Sequence, residues 1–186
     1  MKISAKTIAF TALLAAIVCV LAPWTIPVGP VPISLATLGV YLACCVIDCK
    51  HGVVATLAYV LLGAIGVPVF SGGRGGFGVL AGPTGGYIVG YVFLAFVSGL
   101  LIDFFGREKR VWVYPLAMIA GTIALYAFGT AWFMISTGAS SLGAALLTCV
   151  VPFLAGDGIK IAAATAVGYP VRRALKKTIL TRYQPR

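Results

Sequence analysis

From Thr7 to Ile47 the chain runs for 41 residues without a charged side chain, and prolines at 23, 27, 30 and 32 cut that run in two. About 20 predominantly apolar residues cross a bilayer as a helix, and repeated prolines cannot continue one. The run therefore predicts two spans, at 6–22 and 33–49, joined by an ordered extended turn over Pro23–Pro32. His51 to Val67 reads as a third span, ended by Pro68 and the glycine-dense segment Ser71–Gly86. A fourth covers Thr84–Phe104 and a fifth Val111–Ile135, closed by the Ser/Thr/Gly stretch Ser136–Ser141. Leu142–Tyr169 exceeds one span. Pro152–Val171 forms the sixth, with proline in the first turn where a helix tolerates it, and Leu142–Val151 is a connecting segment or short interfacial helix.

Composition supports the same class. Apolar residues make up 61% and charged residues 10%, against roughly 45–50% and 25% in soluble domains. A soluble globule, a disordered chain and a nucleic-acid-binding domain are excluded. The expectation is an all-α integral membrane protein: one six-helix domain over residues 1–186.

The 14 basic and 4 acidic residues give a net charge of +10, which in a soluble chain would suggest nucleic acid. Here position explains it. Six spans place both termini on one side, and with the N-terminus cytoplasmic the inner segments 1–6, 48–51, 105–110 and 172–186 hold 12 of the 14 basic residues. The outer loops hold Arg74 alone, and Lys160 lies within a span. Such a split is the positive-inside pattern, so both termini are expected in the cytoplasm and the glycine-rich loop between the third and fourth spans outside. Trp24, Trp112 and Trp132 fall near span ends, as aromatic belts do. Lys2, Lys6 and the apolar run to Ala22 also have the shape of a cleavable leader. Pro23 makes a poor cleavage site there, and removal would spoil the charge pattern.

Charges inside a bilayer cost about 2.5–3.5 kcal/mol each on insertion scales and mark functional sites. Asp157 and Lys160 lie deep in the sixth span, three residues apart and so on one helix face. Either they form a self-satisfying ion pair locking that helix to its neighbours, or they form a polar ligand site opening outward. Gly156 and Gly158 favour the ligand site, since they would let another backbone or a ligand come close. In the glycine-dense segment, Gly73, Gly75 and Gly78 fit G-x-G-x-x-G, but no strand-to-helix unit surrounds them and no dinucleotide fold can be built here. No Gly-Lys pair exists, so there is no P-loop and no ATP site of that kind. The segment is either a loose outer loop or a lid over a pocket, contributing backbone N–H groups and Arg74; apolar Phe77, Val79 and Leu80 as anchors favour the lid. Ala12 and Ala16 on the first span, and Gly82, Gly86 and Gly90 at the start of the fourth, have the four-residue spacing that permits close helix contact in lipid.

Five cysteines, at 19, 44, 45, 49 and 149, lie mostly within spans and read as small buried hydrophobes. With one histidine and no C-x-x-C pair, no metal site or disulfide frame is expected. That histidine, His51, has no evident partner, so an intramembrane enzyme lacks its nucleophile–base pair or metal set. A channel would want rings of repeated polar residues, whereas these converge on one outer site.

Four stretches are similar to the BioY family: Pro30-Val-Pro-Ile-Ser-Leu-Ala-Thr-Leu38, Tyr59–Phe70, the glycine segment running into Gly82-Pro-Thr-Gly-Gly-Tyr87, and Pro152-Phe-Leu-Ala-Gly-Asp-Gly-Ile-Lys160. The resemblance covers nearly the whole chain in order, with Ala36 where the family often carries Gln and Ala155 where it often carries Pro. It implies a biotin-specific S component of an energy-coupling factor (ECF) transporter. Such a protein captures biotin outside the cell membrane, and a module of two ATPases and a transmembrane coupling protein drives release inside. By the same resemblance Ala12 and Ala16 face the coupling protein, and biotin is the transported ligand, with no cofactor. Another vitamin such as thiamine or riboflavin is the alternative. Biotin's chemistry suggests Asp157 as acceptor for the ureido N–H groups, Phe77 and Tyr87 as apolar wall, and Lys160 or Arg74 for the carboxylate. Thr84 and Gly85, within the most specific stretch, complete the expected substrate-binding set.

Overall fold

The structure, a computed structural model, describes residues 5–27, 30–105 and 110–178, with side chains as far as Leu175. Lys2, Arg107, Lys109, Arg182 and Arg186, and the side chains of Lys176 and Lys177, which carry much of the expected inner charge, lie outside the described residues.

Helix α1 spans Ala5–Leu21, and a two-stranded antiparallel hairpin follows: β1 (Thr25–Ile26) pairs with β2 (Ile33–Ser34). Then come α2 (Ala36–Val46), α3 (Cys49–Ala64), the short α4 (Phe77–Ala81), α5 (Gly85–Phe105), α6 (Val113–Thr137), α7 (Leu142–Cys149) and α8 (Val151–Thr178). The expected spans correspond in order to α1, α2, α3, α5, α6 and α8. Among the described residues α5, α6 and Val151–Leu175 of α8 are long and apolar enough to cross a membrane. Helices α1, α2 and α3 are apolar but shorter, at 17, 11 and 16 residues.

The second span is the one most shortened. At 1.5 Å per residue an 11-residue helix reaches only about 16 Å. Its start is moved inward because Ile33 and Ser34 belong to the hairpin. The Ser34 hydroxyl accepts from the Ala36 N–H at 2.9 Å and donates to the Ala22 carbonyl at 2.7 Å, fixing where α1 ends and α2 begins. Its end is set at Ile47, whose backbone is extended. Helix α8 departs in the opposite sense: Pro170 lies inside it, and the helix continues to Thr178.

Helices α5 and α6 meet most closely, and small residues make that possible. A methyl group on Gly86 would collide with Trp132, and one on Gly129 with the Tyr87 ring. The expected close contact at Gly86 and Gly90 is therefore present, with Leu125 of α6 opposite Gly90. In the glycine segment Gly72, Gly73 and Gly76 adopt positive φ, where a side chain would be strained. Its backbone is fastened down rather than loose. Gly72 N–H donates to Pro23 O at 3.2 Å, Gly76 N–H to Gly63 O at 2.7 Å, and the Trp132 indole N–H to Gly82 O at 3.0 Å.

At the opposite end of the bundle α2 turns into α3, and a half-buried ion pair occupies the elbow. The Arg172 guanidinium donates to the carbonyls of Cys44, Cys45 and Ile47 at 3.3, 3.5 and 3.0 Å, and to Asp103 Oδ1. Asp103 Oδ2 accepts the Cys49 N–H at 2.7 Å. Nearby, His51 Nδ1 and Asp48 Oδ1 lie 2.6 Å apart, so the histidine has a partner after all: its place three residues on in the first turn of α3 brings it back over Asp48.

Candidate functional site

Toward the end of the bundle where α5 and α8 begin, a cavity of about 30 Å³ is lined by β2 and its approach, α2, α5, α6, the end of α7, and α8. Its polar floor centres on Asp157 and Lys160, 4% and 7% exposed. Lys160 Nζ lies 2.9 Å from Asp157 Oδ1, and Thr37 Oγ1 donates to the same oxygen at 3.1 Å. The ammonium also donates to Thr37 Oγ1 at 3.0 Å and to Ser34 O at 2.7 Å. Tyr126 OH donates to Asp157 Oδ2 at 2.6 Å. All three ammonium protons are engaged, which is what a charge held out of water requires.

Asp157 is less completely used. A carboxylate offers about four acceptor sites, and three bonds reach it, two at Oδ1 and one at Oδ2. An N–H donor entering the cavity therefore finds room at Oδ2. The pair thus locks α8 to β2 through Ser34 and to α2 through Thr37, while leaving an acceptor facing the cavity.

No other part of the protein comes close at Gly156 or Gly158. A methyl group on either would meet nothing within 4 Å, because both lie off the α8 face that carries Asp157 and Lys160.

Of the other expected site residues, Tyr87 lines the cavity, its hydroxyl bonded to Thr130 Oγ1 at 3.0 Å and to the Cys149 carbonyl at 3.4 Å. Arg74, Phe77, Thr84 and Gly85 are not among the lining residues. Arg74 is exposed, its Nε donating to Ser71 O at 3.2 Å, and Phe77 opens α4 with 75% of its surface free while Val79 and Leu80 pack on the core. Thr84 is spent on the start of α5, its carbonyl accepting from the N–H groups of Tyr87 and Ile88. Gly85 backs onto the Leu80 carbonyl, too closely for a side chain. The helix turn of α4 redirects the segment after Gly76, so the glycine run and the cavity are neighbours without sharing these side chains.

The lining also includes residues not expected at the site, among them Ser34, Thr37, Tyr91, Tyr126 and Phe153. A signal for them exists. Thr37/Tyr41, Tyr87/Tyr91 and Thr122/Tyr126/Thr130 are hydroxyl residues four apart within apolar helices, hence stripes on single faces. Those faces meet: Tyr41 OH pairs with Thr122 Oγ1 at 2.5 Å, as Tyr87 does with Thr130.

The profile of the BioY family matches residues 1–177. A protein of Rhizobium etli named biotin transporter BioY is 38% identical over 183 residues, 90% of this chain and 97% of that one. One of the same name from Thermotoga maritima is 38% identical over 165 residues, covering 88% and 92%. Among solved structures, the S component for biotin from an ECF-type ABC transporter superposes with a TM-score of 0.85 at 26% identity, over 92% of this chain and 95% of that chain. With its helices, its buried acid–base pair and this agreement along almost its full length, the chain belongs to the BioY family.

Proposed function

We propose that this protein captures biotin at the outer face of the cell membrane, as the substrate-binding S component of an ECF transporter. One observation carries the reading: within a chain of this family, Asp157 keeps a free acceptor site facing a cavity. Relatives named as biotin transporters, and a similar fold in a biotin S component, support the choice of ligand. In this reading residues 1–186 form one membrane domain with six spans, both termini cytoplasmic and the glycine-rich segment outside. Asp157 takes a ureido N–H, and Tyr87 and Phe153 wall the thiophane ring. Lys160 has all its protons engaged by protein, so exposed Arg74 on the outer segment is the cation for the carboxylate. Phe77, Thr84 and Gly85 act from the lid as it closes over the outer end of the ligand. Biotin is cargo, no cofactor takes part, and the protein is not an enzyme. Two ATPases and a transmembrane coupling protein supply the energy, the latter meeting Ala12 and Ala16, which are exposed on α1.

Calorimetric titration of the detergent-purified chain tests this, with thiamine and riboflavin as controls. Selective biotin binding is expected, and Asp157→Ala is expected to abolish it while helical content and monodispersity are kept. The substitution leaves Lys160 a buried, uncompensated charge, so Asp157→Asn, which keeps the shape, is measured alongside and is expected to weaken binding at least tenfold, about 1.4 kcal/mol. Equal affinity in a folded Asp157→Asn protein refutes the site.

A further inference from the structure

Four tyrosines lie at or beside the cavity, and three have their hydroxyls occupied by protein: Tyr41 by Thr122, Tyr87 by Thr130 and Cys149, Tyr126 by Asp157. The fourth, Tyr91, lines the cavity, is 7% exposed, and its hydroxyl makes no hydrogen bond among the described residues. Among the described residues the hydroxyls sealed in the interior without a partner are those of Tyr59 and Ser98, so that of Tyr91 is reached from the cavity. The acceptors left in the lining are the open site on Asp157 Oδ2 and spare hydroxyl lone pairs, and Tyr91 is bonded to none of them. Ser34 Oγ is bonded to Ala22 and Ala36, Thr37 Oγ1 to Asp157 and Lys160, and the Lys160 ammonium is saturated.

Tyr91 also sits at the depth of the acid. Counted from the first residue of each helix, Gly85 to Tyr91 and Val151 to Asp157 are both six residues. Tyr87 and Phe153 lie about one turn nearer the same end. The unspent hydrogen-bonding capacity of the floor includes one acceptor site on Asp157 Oδ2 and one donor on Tyr91. That is the complement of a group in which an N–H stands next to a carbonyl.

We propose that the Tyr91 hydroxyl is a specificity-determining donor to the ureido carbonyl of the ligand, acting beside Asp157. The assignment rests on the biotin reading above. It divides the recognition of the ureido ring between two helices, the N–H to α8 and the carbonyl to α5. A ligand lacking the carbonyl leaves the Tyr91 proton buried and unbonded, so discrimination comes from the unmade bond as well as the made one.

The test is a double-mutant cycle between protein and ligand on the full chain in detergent. Tyr91→Phe removes one oxygen and keeps the ring in the core against Tyr59. It is expected to raise the biotin Kd about five- to tenfold, with an unchanged melting temperature. The ligand partner is 2-iminobiotin in its guanidinium form, whose N–H groups stand where biotin has its carbonyl. The wild-type protein is expected to discriminate against it, and Tyr91→Phe to lose about the same five- to tenfold factor of that discrimination. Biotinol, with the carboxylate replaced, is expected to feel Tyr91→Phe as strongly as biotin does. An unchanged biotin Kd overturns the proposal, and so does an equal loss for biotin and 2-iminobiotin, which would mean packing alone. Loss of the effect with biotinol moves the hydroxyl to the carboxylate and overturns the carbonyl assignment. Failure of the wild-type chain to bind biotin at all removes the underlying reading, a result distinct from these and fatal to the proposal with it.

Discussion

Single residues do two opposite things here: glycines remove bulk so that helices can touch, and hydroxyls tie the touching faces together. Gly129 is the sharper case. A methyl group there would overlap the Tyr87 ring, and that ring cannot simply swing aside, because its hydroxyl is held by Thr130 and Cys149. Gly129→Ala is therefore expected to destabilise the protein by about 1–3 kcal/mol, the usual cost of overpacking. Because Tyr87 lines the cavity, it is also expected to weaken ligand binding. Thermal melts with and without biotin check both effects; an unchanged melting temperature would show that α5 and α6 have slack at this level.

Between elements, the revealing contact is the α2–α3 elbow. A helix carries partial negative charge at its C-terminus and partial positive charge at its N-terminus. Arg172 meets the last carbonyls of α2 and Asp103 the first free N–H of α3, so each charge stands at the end that suits it. The pair is thus oriented, unlike a simple salt bridge. Arg172→Gln is expected to lower stability by about 1–3 kcal/mol, the cost of leaving carbonyl and carboxylate acceptors without their donor. The reversed pair, Arg172→Asp with Asp103→Arg, is expected to be no better than the single variant. Chemical denaturation in mixed micelles compares them, and recovery of stability by the reversed pair would mean the helix ends play no part. Nothing in the sequence pointed to this node. Arg172 falls in a basic cluster that topology alone explains, and Asp103 precedes another. The helices themselves were legible because prolines, glycines and charges bound them. Asp157 and Lys160 were legible because ionised groups in an apolar run have few reasons to exist. Phe77 and Arg74 lie on the glycine segment outside the cavity lining, a placement that sequence spacing does not reveal. The hydroxyl stripes were missed because tyrosine and threonine are common in membrane helices, and only their repeat at four residues distinguishes these.

Taken whole, the molecule has its polar cavity at one end, its charged elbow at the other, and a small-residue face on α1 that belongs to neither. Ala12 and Ala16 are exposed while Thr11, Leu14, Ala15 and Val18 of the same helix are buried. A bulky group on that outward face should block a partner without disturbing the interior. Ala12→Trp and Ala16→Trp are therefore expected to retain biotin affinity within about twofold, the scatter of surface substitutions, and to lose co-purification with the coupling protein. Impaired biotin binding instead would make α1 part of the pocket wall.

The size of the cavity bears on how such a molecule keeps time. At about 30 Å³ it is far below the roughly 300–1,000 Å³ that small-molecule pockets enclose. A ligand of biotin's size does not fit it as it stands, so the elements that line it, the hairpin and the ends of α5, α7 and α8 among them, have to part first. Capture is then paced by that opening rather than by encounter, so at high vitamin concentration the observed association rate levels off. Some intrinsic affinity is forfeited to the rarity of the open form. What is gained is retention, since the barrier that delays entry also delays escape, and the vitamin stays aboard until some other event opens the way.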